Sequence, residues 1–182
     1  MIVKEINGDI IEEFEKGTID MIVHGANCFH TMGAGLAKQI KEKYPKAYGI
    51  DKKTLNGNIC KLGKRSVYTL PNGKFIINAY TQYQPGATFE YSALVKFLKT
   101  LNIDFDGTGY IIGFPEIGCG IGGGNWKRVK ELIEEYTPNL KIVIVHYDNK
   151  TKTMGNSNVN QLSFFKRLKR KTIFPIFKSN RV

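Results

Sequence analysis

Two glycine-rich segments carry the first chemical signal in this chain of 182 residues. The denser one reads Phe114-Pro115-Glu116-Ile117-Gly118-Cys119-Gly120-Ile121-Gly122-Gly123-Gly124-Asn125-Trp126, and five of the seven residues 118–124 are glycine. A glycine loop leading from a strand into a helix turns backbone N–H groups toward one point, beside the positive end of the helix dipole. That arrangement favours phosphate oxygens. Glycine also lets a ligand approach the main chain closely. No Lys-Ser or Lys-Thr follows the last glycine, and the spacing is not the dinucleotide fingerprint of a first strand. The other segment is His24-Gly25-Ala26-Asn27-Cys28-Phe29-His30-Thr31-Met32-Gly33-Ala34-Gly35-Leu36-Ala37. It too follows a strand pattern and opens a helix. Two such loops at the carboxyl ends of strands can grip the two ends of one pyrophosphate.

Few ionisable groups lie near these loops. His24 stands three residues before Asn27, so both can border one pocket mouth, and imidazole titrates near neutrality. It is the first candidate for acid, base or nucleophile. His30, inside the first loop, is the second. Glu116, beside the second loop, can activate a water. Strand alternation turns His146 to the face opposite Tyr147, which reads as a structural role. The three cysteines, Cys28, Cys60 and Cys119, are odd in number and widely spaced. They give neither a disulfide framework nor a metal-binding CxxC pair, and the expectation is no metal and no cofactor.

The surrounding pattern alternates between strand and helix. Residues 2–6, 20–24, 66–70, 74–80, 110–114 and 142–145 read as strands, the third and fourth joined by a Pro71-Asn72-Gly73 turn. Asp9 reads as a helix N-cap, with Glu12 completing a capping box. Helical spacing recurs at Leu36, Ala37, Ile40 and Tyr44, where Pro45 ends or kinks the helix. It recurs at Leu94, Phe97, Leu98 and Leu101, and at Trp126, Val129, Leu132, Ile133 and Tyr136. This alternation predicts a layered α/β fold with a mostly parallel central sheet.

Composition divides the chain. Residues 1–150 form the expected domain, with 19 Lys or Arg against 16 Asp or Glu; residues 151–182 form an extension with eight Lys or Arg and no acid. Most of the net charge of +11 therefore lies in the extension, and the main domain on average does not read as a nucleic-acid binder. The extension interleaves basic residues with Phe164, Phe165, Phe174 and Phe177, which suits weak contact with a nucleic acid. Its stripe of Leu162, Phe165 and Leu168 equally suits packing against the main domain. No apolar run reaches the roughly 18 residues of a membrane span, and the first residues do not read as a signal peptide. No membrane contact and a cytoplasmic location are the expectations.

Four ordered motifs resemble those of macrodomains, the ADP-ribose-binding α/β/α fold: Asn7-Gly8-Asp9-Ile10, the Asn27 loop, Pro115 to Gly123, and Val145-His146-Tyr147-Asp148. The resemblance covers about residues 2–148 and implies a three-layer fold with a mixed, mostly parallel sheet. It implies that Asp9 and the Ile10 backbone meet adenine, that Asn27 bonds the distal ribose, and that Met32, Gly33, Gly35 and Leu36 belong to the segment beside pyrophosphate and distal ribose. Gly118, Cys119, Gly120, Ile121, Gly122 and Gly123 would clamp the phosphates, and Tyr147 would pack on the adenine.

Within that family the chain looks closest to phage, bacterial and yeast proteins that take phosphate from ADP-ribose 1″-phosphate. The shared features are His24, Asn27-Cys28 and the Gly-Ile-Gly-Gly-Gly-x-Trp run. The resemblance thus implies a phosphatase whose catalytic candidates are His24, Asn27 and His30. A related branch frees ADP-ribose from protein glutamate with a Lys and an Asp. That Asp falls on Gly122, and that Lys falls near Gln82 or Tyr83, so both groups are missing here. Hydrolysis of another ADP-ribose ester and plain ADP-ribose binding are the alternatives.

Overall fold

The alternating pattern takes shape, in a computed structural model that describes residues 1–148, as six strands and five α-helices. In chain order they are β1 (Ile2–Gly8), α1 (Ile10–Lys16), β2 (Met21–Asn27), α2 (Gly35–Lys43), α3 (Pro45–Asp51), β3 (Arg65–Thr69), β4 (Phe75–Gln82), α4 (Tyr91–Phe105), β5 (Ile111–Phe114), α5 (Trp126–Tyr136) and β6 (Lys141–Tyr147). The strands form one sheet in the order β1-β6-β5-β2-β4-β3. Every neighbouring pair is parallel except β3 and β4, which form the antiparallel hairpin around Asn72-Gly73. Gly73 takes φ +80° there, in the left-handed region that glycine enters without penalty.

Burial on both sheet faces makes three layers. Met21, Val23, Ile77, Ile112 and Ile144 point to one face, where Leu94, Phe97, Leu98 and Leu101 of α4 meet Val129, Leu132 and Ile133 of α5. Ile22, Ile76, Val143 and Val145 point to the other, against α1, Ile40 of α2 and Ala47 of α3. Strands covered on both sides carry near-continuous apolar runs, as β4 and β6 do.

Two helix boundaries follow the sequence expectation, each with one difference. Asp9 does cap α1: its Oδ1 accepts from the N–H of Ile11 at 2.8 Å and of Glu12 at 3.4 Å. The Glu12 carboxylate instead pairs with Lys16 at 3.4 Å. Pro45 stops α2 after Lys43 but also opens α3, because proline at a first helical position gives up only an N–H that has no partner there anyway. The polar stretch from Asn149 and the whole 151–182 extension lie outside the described residues.

Candidate functional site

A cleft of about 520 Å³ runs across the carboxyl ends of the parallel strands. Its floor is the sheet edge, and both glycine loops form its walls. The size is in the range of small-molecule sites. One end lies at β1 and β6, where Asp9, Ile10 and Tyr147 line it. The other lies at β2 and β4, where Asn27, Gly33, Gly35, Leu36 and Gln82 line it. Gly118, Cys119, Gly120, Ile121 and Gly122 line the middle, after β5. Among the sequence candidates His30, Met32 and Gly123 do not form the wall.

The second loop needs its glycines for close packing. Gly118 has φ +76°, and a Cβ on it would fall inside the Phe89 ring. A Cβ on Gly122 would stand 2.5 Å from the Gly118 carbonyl oxygen. The loop folds back through Gly124 N–H donating to Gly118 O at 2.9 Å and Phe89 N–H to Gly122 O at 3.2 Å. Among the described residues, the N–H groups of Gly118, Gly120, Ile121 and Gly122 donate to no protein acceptor. They are the loop's open donors.

Which helix serves the cleft differs from the sequence expectation. The start of α5 is capped by its own residues: Asn125 Oδ1 accepts from Arg128 N–H at 3.2 Å, and Asn125 N–H donates to the Tyr91 hydroxyl at 2.8 Å. The start of α2 has no side-chain cap and no acid in its first turn, and Ala34, Gly35, Leu36 and Ala37 line the cleft. The orphan donors and positive dipole end that favour an anion therefore belong to α2.

Asn27 builds the first loop from inside. Its Nδ2 donates to Thr31 O at 2.8 Å, and its Oδ1 accepts from Phe29 N–H at 2.9 Å and Thr31 N–H at 3.3 Å. One Nδ2 hydrogen remains for a ligand. His30 takes φ +57°, the only non-glycine in that region among the described residues. Its Nε2 meets Thr54 Oγ1 at 2.9 Å, which ties the loop to the segment after α3. Burial and the nearby Lys61 ammonium push the His30 pKa down, so the ring is neutral at neutral pH.

His24 does not sit as a free mouth residue. Only 1% of it is exposed, and Nε2 donates to Asn78 Oδ1 at 2.6 Å. Asn78 Nδ2 donates in turn to Ala47 O and Ser66 Oγ, which fixes the amide orientation and hence the proton on His24 Nε2. Burial holds the His24 pKa below its ordinary value. Beneath it a polar layer continues: the Tyr80 hydroxyl meets Asp51 and Ser66, and Lys61 Nζ donates to the Cys28 carbonyl at 3.1 Å. Sequence spacing pointed to His24 but gave no sign of Asn78, Tyr80, Asp51 or Lys61, which come from three separate segments.

At the β1–β6 end, Tyr147 is 59% exposed and so offers a ring face. Both capping bonds of Asp9 use Oδ1. Alternation does turn His146 away from the cleft, where its ring meets Trp126 edge-on. It also holds the wall: Nδ1 bonds Glu116 Oε1 at 2.7 Å, and Nε2 bonds Glu5 Oε2 at 3.1 Å. Burial pulls the His146 pKa down, but the bonds to Glu116 and Glu5 outweigh it and the net shift is upward. Gln82 Nε2 bonds Gly86 O at 2.7 Å and lies next to Gly122, so the two positions that would need a Lys and an Asp do adjoin, without either group. Among the described residues no group of His, Cys, Asp and Glu is arranged to hold a metal ion, and no helix is long and apolar enough to cross a membrane.

The chain is similar to several known proteins. A 17.5 kDa protein from the tk-vs intergenic region of Enterobacteria phage T4 is 44% identical over 155 residues, 81% of this chain and 98% of that one. An ADP-ribose 1″-phosphate phosphatase of Aspergillus oryzae is 40% identical over 48 residues, 26% of this chain and 22% of that one. A DNA ADP-ribosyl glycohydrolase of Mycobacterium tuberculosis is 26% identical over 135 residues, 69% of this chain but 36% of that one. The macrodomain of Thermus aquaticus DarG superposes with a TM-score of 0.65 at 23% identity, over 81% of this chain and 98% of that one. Thermosipho africanus DarTG, solved with ADP-ribose, gives 0.60 at 21% identity over 75% and 40%. Residues 23–133 match the Macro domain model, and the chain belongs to the Macro domain family.

Proposed function

We propose that the cleft binds ADP-ribose and that the protein releases phosphate from ADP-ribose 1″-phosphate. The observation that carries the reading is the pair of open donor sets facing one cleft: the loop amides of Gly118, Gly120, Ile121 and Gly122, and the uncapped start of α2. Together they suit a pyrophosphate with a further phosphate beyond it. Asp9 takes the adenine amine through Oδ2, Tyr147 packs on the base, and the spare Nδ2 hydrogen of Asn27 takes a distal hydroxyl. Gly122 has no side chain to close over the distal ribose, which leaves room for the extra phosphate.

In the reaction a water oxygen attacks phosphorus, the bond between phosphorus and O1″ breaks, and O1″ takes up a proton as phosphate leaves. The donors above neutralise the charge on the transferring group. Neutral His30 stands behind the wall at the distal end, so it takes the proton of the attacking water through one intervening water; His24 lines the cleft with its ring enclosed and acts as a positioning residue. The short match to a phosphatase of this substrate supports the reading. A phosphate-release assay with ADP-ribose 1″-phosphate, run on wild type and His30→Gln, tests it.

A second reading is favoured by the match to a DNA ADP-ribosyl glycohydrolase: cleavage of ADP-ribose from a macromolecule at the same distal position. Incubation with ADP-ribosylated DNA and detection of free ADP-ribose tests that alternative.

A further inference from the structure

The charge of the described domain is not spread evenly. Residues 38–65 hold nine Lys or Arg against two acids, Glu42 and Asp51, while the other described residues hold nine against fourteen. The near-neutral average of the domain thus hides a basic segment. That segment is α2, α3 and the chain up to β3, and it adjoins the distal end of the cleft. Leu36, Ala37 and Gln39 of α2 line the cleft itself. Thr54, just after Lys52 and Lys53, holds His30 of the first loop.

The lysines share one side. Ala47 and Asp51 are the buried side of α3, at 0% and 1% exposure, and Lys46, Lys52 and Lys53 are exposed. Lys41 of α2 and Lys52 converge on the Tyr48 ring, at 4.5 and 5.7 Å from its centre. Lys46 and Lys53 make no ion pair among the described residues, and neither do Lys41 and Lys52. Glu5, Asp9, Glu12, Glu13 and Glu116 lie around β1, α1 and the end of β5, and Glu15 of α1 neutralises only Lys43 of α2, at 2.8 Å. A small ADP-ribose derivative ends inside the cleft and has no use for charge beyond it. Clustered ammoniums around an aromatic ring match the phosphates and bases of a strand of nucleic acid.

We propose that the α2–α3 face is a docking surface for a nucleic-acid strand, whose ADP-ribosylated end enters the cleft adenine first and leaves the distal ribose beside the strand. The surface itself does not depend on which bond is cleaved. The entry of the strand's end rests on the ADP-ribose reading above, and the two are measured separately.

The test uses the full chain and a fluorescein-labelled single-stranded oligodeoxynucleotide, with affinity followed against salt. Lys41→Glu/Lys52→Glu/Lys53→Glu is compared with Lys41→Arg/Lys52→Arg/Lys53→Arg and wild type. The expected result is at least a tenfold loss for the Glu variant. Its salt slope should flatten by about 0.7 for each phosphate contact removed. The Arg variant should bind as wild type does, and all three should bind free ADP-ribose equally by calorimetry. Oligonucleotide affinity and slope unchanged in the Glu variant overturn the proposal and assign any binding to residues 151–182. Loss of ADP-ribose binding in wild type would instead sink the reading of the cleft and leave the surface standing.

Discussion

His24 Nε2 and Asn78 Oδ1 stand 2.6 Å apart in adjacent, register-paired strands, and this bond fixes the imidazole in the layer between the sheet and α3. Asn78 also bonds the Ala47 carbonyl and the Ser66 hydroxyl, so three buried partners depend on one amide. Asn78→Leu leaves His24 Nε2–H without its acceptor, at a cost of about 1–3 kcal/mol, and takes one donor from Ala47 O and from Ser66 Oγ, which keeps the Tyr80 hydroxyl. Urea denaturation of Asn78→Leu should show a loss of at least about 2 kcal/mol. An unchanged midpoint would show that the network relaxes without cost.

A positioning role for His24 makes a kinetic prediction. His24→Ala should lower turnover by loosening the end of β2, yet keep the wild-type pH profile. His30→Gln should abolish the acid limb, which in wild type lies below about pH 6.5 because the His30 pKa is lowered. If His24→Ala removes that limb and His30→Gln leaves it, the two assignments are reversed.

Asp9 has two separable duties. Asp9→Ala removes the α1 cap, for about 1 kcal/mol of stability, and the adenine acceptor, for about 1.5–3 kcal/mol of ADP-ribose affinity. Asp9→Ser keeps a cap and loses the carboxylate. Calorimetry and thermal melting of the pair should show the same loss of binding with stability restored only in the Ser variant. Equal ADP-ribose affinity in all three proteins would take Asp9 out of the adenine site.

The two perturbed histidines at the sheet should pull stability in opposite directions with pH. His24 is held neutral by burial and its folded pKa lies below the unfolded one. The unfolded chain then binds more protons as pH falls through about 6.5, and stability drops. His146 has its pKa raised, so its contribution is complete below about pH 6.5 and fades as pH rises through the folded value. Denaturation midpoints followed from about pH 8 to about pH 5 should fall less steeply in His24→Asn than in wild type. His146→Gln should instead lose the most stability at the acid end.

Much of the layer architecture was legible because apolar runs and helical spacing report burial directly. Met21 to Val23 and Ile142 to Val145 read as buried strands, and Leu94, Phe97, Leu98 and Leu101 as one helix face. The glycine loops were legible as loops, since no other residue fits Gly118 or Gly122. What the pattern hid was partnership across the chain. Nothing local to His24 announces Asn78, and nothing in the Trp126 helix announces that Asn125 closes its start while α2 stays open. The short α3 was also hidden, since its pattern of Ala47 and Asp51 buries a carboxylate that only Tyr80 and Lys61 make tolerable.

The missing Lys and Asp pair gives a further prediction. Restoring it as Gln82→Lys/Gly122→Asp should not create release of ADP-ribose from protein glutamate, because a Cβ at position 122 meets the Gly118 carbonyl. The variant should also bind ADP-ribose at least tenfold more weakly, as the loop amides move. A gain of that activity with binding intact would show that the loop accepts a side chain there.

The central claim is that the two donor sets serve a substrate with a phosphate beyond the distal ribose. Its most direct test is the time course of phosphate and ADP-ribose formed from ADP-ribose 1″-phosphate by the wild-type chain. The account predicts that both products appear in equal amounts, and that His30→Gln slows them at least a hundredfold while ADP-ribose affinity is kept. No phosphate release by a protein that binds ADP-ribose normally would contradict it and leave a binding module or a hydrolase of another bond.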